Sequence, residues 1–313
     1  MPPTIYDIAK AARVGIGTVS RVLNNHPNVS LDTRTRVLTI ANKLNWQPHP
    51  YARGLAKQKT NSILAVVPFF STYFFIEVLR GVQSKLGEME YDLILYGIND
   101  PHHVEELLKK NSLRMRVDGV LFLSMTVPDK FAEQYERLKI PVVLVDTRRK
   151  GLDSLYVENV KGAHTAAMHL ISLGHKRIAM LSASMRSQPV RERLEGFTSA
   201  MAEAGIEIDP RLMKSSTSTI LDGFTRESGY DLMKQLLELG SDRPTAVLVS
   251  SDIQASGALW AIEESGLHCP DDIAVVGFDD IELASHLRLT TMRQPMFEMG
   301  VLAAQKIEDR IDG

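Results

Sequence analysis

"VGIGTVSRVL", residues 14–23, decides how this chain is read. Its apolar residues Val19, Val22 and Leu23 share one helical face, yet it opens on Gly15 and Gly17, one residue apart. Each glycine inside a helix costs about 0.5–1 kcal/mol relative to alanine. The compensation is close approach. The first N–H groups of a helix have no intrahelical partner and sit at the positive end of its dipole, so a bare start can rest against a phosphate. Gly15 lets that end come near, and Gly17 leaves room for a base edge where a long side chain would stand off. A nucleotide-binding glycine loop would need a preceding strand and the third glycine of G-x-G-x-x-G, and neither is there.

Upstream, Thr4 and Asp7 form a capping-box pattern that opens a helix with Ile5, Ile8, Ala9 and Ala12 on one face. "RVG" (13–15) breaks it after little more than two turns. Downstream, Asn24 and Asn25 are stop residues, and Ser30 can cap a third helix in which Val37, Ala41 and Leu44 repeat. Three short helices, the first two joined by a tight turn, make a helix-turn-helix unit. Such a unit lays its second helix in the DNA major groove, N-terminal end toward the bases. Thr18 and Ser20 can donate to phosphates, and Arg21 is the long, forked donor suited to guanine O6 and N7. In "WQPHPYARGLAK" (46–57), Pro48 and Pro50 stiffen the entry to the small Ala52, then Arg53, Gly54 and the apolar Leu55. This reads either as a conditional helix whose leucine wedges into the minor groove, or as a linker whose leucine packs on the body.

Charge agrees with a polyanion partner. Residues 1–60 carry nine Lys and Arg against Asp7 and Asp32, a net of +7, while the rest of the chain is at −9. Its 313 residues, 44% hydrophobic and 24% charged, suit a globular protein of two or three units. The single cysteine, Cys269, excludes an internal disulfide and fits a reducing compartment. "MPPTIYDIAK" has no basic start and apolar run, and no stretch of about 18 apolar residues exists, so a cytoplasmic location without a membrane partner is expected.

From residue 61 the chain alternates apolar strands with helical stretches. Strands are expected at "SILAVV", "DLILY", "DGVLFL", "PVVLV", "RIAML", "TAVLV" and "IAVVGF", with helices at 74–87, 103–114, 160–173, 191–204, 226–238, 252–265 and 296–310. This βαβ alternation predicts parallel sheets covered on both faces. Ligands bind beyond the carboxyl ends of such strands, where Asp146, Ser251, Asp252, Asp279 and Asp280 stand. Arg191 and Arg193 are expected at a helix start, against the dipole, which implies that they face a partner. Asp252 and Asn159 read as helix caps, and His175 as a turn residue. Trp46 and Trp260 read as core or hinge packing, and Cys269 as packed. His164 and His169, five apart on one helix, point to different sides, which argues against a metal site. No G-x-S-x-G elbow, G-K-[ST] phosphate loop or H-E-x-x-H is present, so no enzyme and no cofactor is expected.

"TIYDIAKAARVGIGTVSRVLNN", "VSLDTRTRV" and "PHPYARGLA" resemble the headpiece and hinge helix of the lactose-repressor/galactose-repressor (LacI/GalR) family, and the resemblance covers nearly the whole chain. It implies an N-terminal all-α helix-turn-helix headpiece (1–46), a hinge (47–60), and an α/β periplasmic-binding-protein-like body (61–313) of two doubly wound parallel-sheet lobes. The N-lobe would take about 61–160 plus 291–313, and the C-lobe about 161–290. It implies base reading by Ile16, Gly17 and Arg21, backbone contacts by Thr4, Tyr6, Thr18, Asn24 and Asn28, and a wedge at Leu55. The implied function is a transcriptional repressor that binds a pseudo-palindromic operator in double-stranded DNA as a homodimer, in part through the 74–87 helix. A small-molecule effector, a sugar or nucleobase, would control it from between the lobes.

By motif, Arg193 and Asp279 correspond to the family's effector-binding pair and Phe224 to its stacking aromatic. The pocket would also take Asp146, Ser251 and, from "VVPFFSTYFF" (66–75), Phe69, Tyr73 and Phe74. That stretch departs from the family's "VVPDISNPFF" at Phe69, Thr72 and Tyr73, and Ser251 replaces a common asparagine, so the pocket loses polar groups and gains rings. The chain also stops at "KIEDRIDG", where the family pattern continues to one more strand. Two other readings stay open: a solute-binding protein without a DNA role, and a regulator controlled by a phosphoprotein corepressor. The latter is implied by the likeness of "NNHPNVS" and "YARGLAKQKT" to catabolite control repressors.

Overall fold

The computed structural model describes residues 3–23, 25–46, 60–98, 117–125 and 127–313. Asn24 and the hinge residues Ala52 and Leu55, like the helix expected at 103–114, lie outside them. The chain divides into two units, residues 1–60 and 61–313.

The first unit is built on helices α1 (Ile5–Ala12), α2 (Ile16–Leu23) and α3 (Leu31–Lys43). At the start of α1 the Asp7 carboxylate accepts from the Thr4 backbone N–H at 2.8 Å and from its hydroxyl at 2.7 Å. These bonds hold the Asp7 carboxyl below its ordinary pKa. Arg13 ends α1 in the left-handed conformation (φ 54°), which makes the turn into α2 tight. Ser30 caps α3, accepting from the Thr33 N–H. The core is Ile8, Ala9, Ala12, Val19, Val22, Val37 and Ala41, with Leu44 and Trp46 packed against it.

The second unit carries two five-stranded sheets among the described residues. The first orders β1 (Ser62–Val67), β2 (Asp92–Gly97), β3 (Gly119–Leu123), β4 (Val142–Val145) and β5 (Asp153–Leu155) as β2-β1-β3-β4-β5. The second orders β6 (Ile178–Ser182), β7 (Met213–Ser215), β8 (Ala246–Val249), β9 (Ala274–Asp279) and β10 (Thr290–Arg293) as β10-β9-β8-β6-β7. Every pairing is parallel. Strands β3, β4, β6, β8 and β9 are buried along their length, which is why they read as unbroken apolar runs.

The edge strands β5, β7 and β10 were not among the expected strands. They are short, polar and only partly buried, so no apolar run announces them. Helices Asp129–Arg137 and Glu282–His286 also go beyond the sequence reading. The chain passes from the first sheet to the second between Leu155 and Asn159 and returns after Arg293. The last helix, Met296–Asp312, then packs back on the first lobe. Its Gly300 lies so close to the Tyr73–Glu88 helix that a Cβ there would stand 2.0 Å from the Val78 carbonyl oxygen. A Cβ on Gly81 would meet Phe297 O at the same distance.

Candidate nucleic-acid interface and effector cavity

In the helical unit the two glycines are not demanded by the fold. A Cβ built at Gly15 or Gly17 meets no atom within 4 Å. The Gly15 carbonyl accepts the first bonds of α2, from Thr18 N at 2.9 Å and Val19 N at 3.1 Å. Gly15 is the N-cap of α2, a position that favours glycine over alanine, whereas at Gly17, inside the helix, alanine would fit and would strengthen it. Four large apolar side chains stand exposed among the described residues of this unit: Tyr6 at 66% and Ile16 at 43%, and on α3 Leu31 and Leu38. Thr4, Arg21 and Asn28 are exposed, while Thr18 and Ser20 are half-buried. Arg34, one of the basic residues behind the charge argument, is used internally: it donates to Asn25 Oδ1 and to the His26 carbonyl at 2.7 Å.

In the body, the eight residues proposed from sequence for an effector (Phe69, Tyr73, Phe74, Asp146, Arg193, Phe224, Ser251 and Asp279) line one cavity of about 520 Å³. It opens at the carboxyl ends of both sheets, where open α/β folds place their ligands. The backbone there is unusual. Ser124 after β3, Asp146 after β4, and Asp279 and Asp280 at the end of β9 all have positive φ without being glycine. Strain of this kind concentrates at functional sites.

Arg193 organises the floor. It is 4% exposed, donates from Nε to Asn159 Oδ1 at 3.0 Å and from Nη1 to the Ser250 carbonyl, and pairs with Asp279 at 3.7 Å. Its guanidinium lies 3.8 Å from the centre of the Phe278 ring. Burial pulls its pKa down against the neighbouring carboxylates, yet a guanidinium keeps its charge at any physiological pH. Asp279 is pushed up to about 7, chiefly by burial, against the pull of Arg193. Burial likewise raises Asp146 and Asp252 to about 6. Asp146 accepts from Ser124 Oγ through Oδ2, and its Oδ1 is buried with no hydrogen-bond partner among the described residues. Gln294 donates to Asp279 through Nε2, and its Oε1 is likewise unpartnered.

Several expectations are corrected. Arg191 and Arg193 do not open their helix. Ser187 is the N-cap and Pro189 occupies the first turn, so the helix runs Gln188–Glu203 and Arg193 sits in its second turn, where the dipole argument weakens. Arg191 donates to the Met185 and Arg186 carbonyls at 2.8 and 2.6 Å. Asp252 is not a cap: its neighbour Ser251 caps Asp252–Glu264, and the Asp252 carboxylate accepts from Ile281 N at 3.0 Å and from Thr291 Oγ1. Asn159 is not a cap either, because its amide bridges Arg193 and Glu192 Oε2. Cys269 is exposed rather than packed. Trp260 is 45% exposed, its ring 4.6 Å from Tyr230 and 4.9 Å from the Arg226 guanidinium.

The cavity also holds Ser124, Gln294, Arg186, Asp222 and Leu221, which were not singled out from sequence. Gln294 follows a polar edge strand, and recognising "TTMR" as a strand would have flagged it as a strand-end residue. His175 joins its helix-to-strand turn to Thr245 Oγ1 at 3.0 Å, and His164 bonds Glu203 Oε2 at 2.8 Å. No described helix is long and apolar enough to cross a membrane.

With this geometry in hand, likeness to known proteins is specific. Residues 4–49 match the family described as bacterial regulatory proteins, lacI family, and residues 167–313 match a periplasmic binding protein-like domain. Catabolite control protein A of Priestia megaterium is 33% identical over 97% of this chain and 91% of that protein. The HTH-type transcriptional repressor PurR of Mannheimia succiniciproducens is 36% identical over 98% of this chain and 92% of its own length. Among solved structures, the lac repressor dimer bound to operator and the anti-inducer ONPF superposes with a TM-score of 0.84 at 27% identity. That match spans 100% of this chain and 94% of the repressor chain. These relatives are regulators, not enzymes. The chain belongs to the lacI family of bacterial regulatory proteins and is a DNA-binding transcriptional repressor.

Proposed function

We propose that the protein acts in the cytoplasm as a homodimer on a pseudo-palindromic operator, each headpiece reading one half-site. In this reading Arg21 and Ile16 meet base edges beside the bare Gly15 and Gly17, and Thr4, Tyr6, Thr18, Ser20, Asn24 and Asn28 hold the backbone. Ala52 and Leu55 serve the minor groove. Two-fold symmetry of the dimer makes the operator palindromic. A small molecule in the cleft between the lobes sets the angle between them, and shifts operator affinity by its differential affinity for the two states.

One observation carries the effector half of this reading. Asp146 Oδ1 and Gln294 Oε1 are buried acceptors without partners, beside a cavity walled by Phe69, Phe74 and Phe224. Buried polar atoms are rarely left unpaired, so the effector is a compact molecule that presents N–H or O–H donors to them and a flat face to the rings. Sugars and nucleosides have this character. The test is a thermal-shift screen of sugars, nucleosides and phosphorylated metabolites, followed by operator titration with each hit. A ligand that stabilises the body and moves operator affinity supports the reading, and a screen without such a ligand removes it.

A further inference from the structure

Beside the effector cavity lies a second hollow of about 350 Å³ with a different character. The two share Pro68, Phe69, Ser71 and Leu221, so they adjoin. The outer one is rimmed from the first lobe by Phe70, 48% exposed, and from the second by Ile220, 69% exposed. Both sides are built. A Cβ at Gly97 would stand 2.2 Å from the Phe70 ring, so the bare end of β2 is what seats that ring. Opposite, Leu221 (φ 49°, ψ 32°) and Asp222 (φ 51°, ψ 28°) are consecutive left-handed residues without a glycine, a disfavoured arrangement. They are held by the Asp222 carbonyl accepting from Ser184 N at 2.8 Å and its carboxylate accepting from Arg186 Nη2 at 2.7 Å. The strained turn presents Ile220 and Leu221 at the mouth of the cleft.

We propose that this hollow is an accessory apolar subsite and that the effector has two parts. A donor-bearing polar head occupies the Arg193–Asp279–Asp146–Gln294 floor, and an aromatic or alkyl appendage reaches outward between Phe70 and Ile220. The proposal rests on the effector reading above and adds the class of ligand. The floor offers unpaired acceptors and the mouth offers exposed apolar surface, so a small sugar alone would leave the outer hollow wet. A ring attached to it would remove both lips from water.

The test uses the full-length protein and matched probes: methyl and phenyl glycosides of glucose, galactose and ribose, and ribose against adenosine and cytidine. For whichever head binds, the ring-bearing member is expected to bind tighter by about tenfold or more, as removal of a ring face from water requires. Phe70→Ser with Ile220→Ser is expected to cut that preference to about threefold or less while leaving the methyl glycoside's or free ribose's affinity and operator binding unchanged. Equal affinity within the pairs overturns the subsite but leaves the effector reading standing. Equal weakening of both members by the rim substitutions also overturns it, because the lips would then be a latch between lobes. If no probe binds while operator binding is intact, this inference falls, and the effector reading is decided by the wider screen above.

Discussion

Gly17 and Arg21 stand one helical turn apart on α2, an exposed glycine beside an exposed arginine. Because a Cβ at Gly17 meets nothing, Gly17→Ala is expected to raise headpiece stability by about 0.5–1 kcal/mol. Operator affinity should fall in the same variant, and a melting curve paired with an operator titration checks both. If stability and affinity rise together, close approach is not what the glycine provides. Arg21→Ala should lose about 1–3 kcal/mol of discrimination at one base pair in each half-site, measured by binding to a panel of operator variants. Uniform weakening on every sequence would make Arg21 a phosphate contact instead.

In the cavity, Arg193→Ala would strip a buried partner from Asp279 and Asn159, and so confound response with folding. Asp146→Asn keeps the shape, and should retain operator binding while losing the effector response. The same carboxylates set a pH trend. Burial places Asp146 and Asp252 at about 6 and Asp279 at about 7, against about 4 in an unfolded chain. Between those limits the folded state holds more protons than the unfolded one, so stability falls as pH rises from about 4 to about 7 and is flat in these groups above that. Melting of the ligand-free protein at pH 5.5 and 7.5 should show the difference, and Asp146→Asn should remove part of it.

Among the elements, the last helix depends on its crossing with Tyr73–Glu88. At 2.0 Å from a carbonyl oxygen, a new methyl on Gly300 forces the helices apart, and Gly300→Ala should destabilise the body by about 1–3 kcal/mol. Urea unfolding measures this. The elements also show what could be read in advance. "SILAVV" and "PVVLV" were legible as strands because their residues are largely buried and leave no polar alternation to confuse them. "DSL", "MKS" and "TTMR" were not, because edge strands are set by neighbours distant in sequence rather than by their own apolar content. The three headpiece helices carried periodic apolar faces, and the first and third carried local caps as well, so they were legible almost residue by residue. At the cavity, strand-end position and motif pointed to Asp146, Arg193 and Asp279. The sequence reading puts the cap on Asp252 when Ser251 carries it, since serine and aspartate cap equally well and only the Ile281 and Thr291 contacts separate them.

At the scale of the whole molecule, the body leaves large apolar side chains exposed on its first lobe: Tyr73 and Ile76 on one helix, Phe297 and Leu302 on the last. A homodimer would cover surface of this kind. Ile76→Asp is therefore expected to yield monomers and to weaken operator binding by far more than any single base contact. Sedimentation and operator titration at matched concentrations check this, and a dimer that persists would place the interface elsewhere.

Gln294 lies in the short stretch between Arg293, where the second sheet ends, and Met296, where the returning helix begins. It grips Asp279 with both its backbone N–H, at 3.1 Å, and its side chain. In the proposed regulation, the residue that would feel an arriving molecule would therefore also lie on the segment joining the two lobes. Detection and movement would then share a residue, and a message from the cleft would have no distance to travel before it became motion.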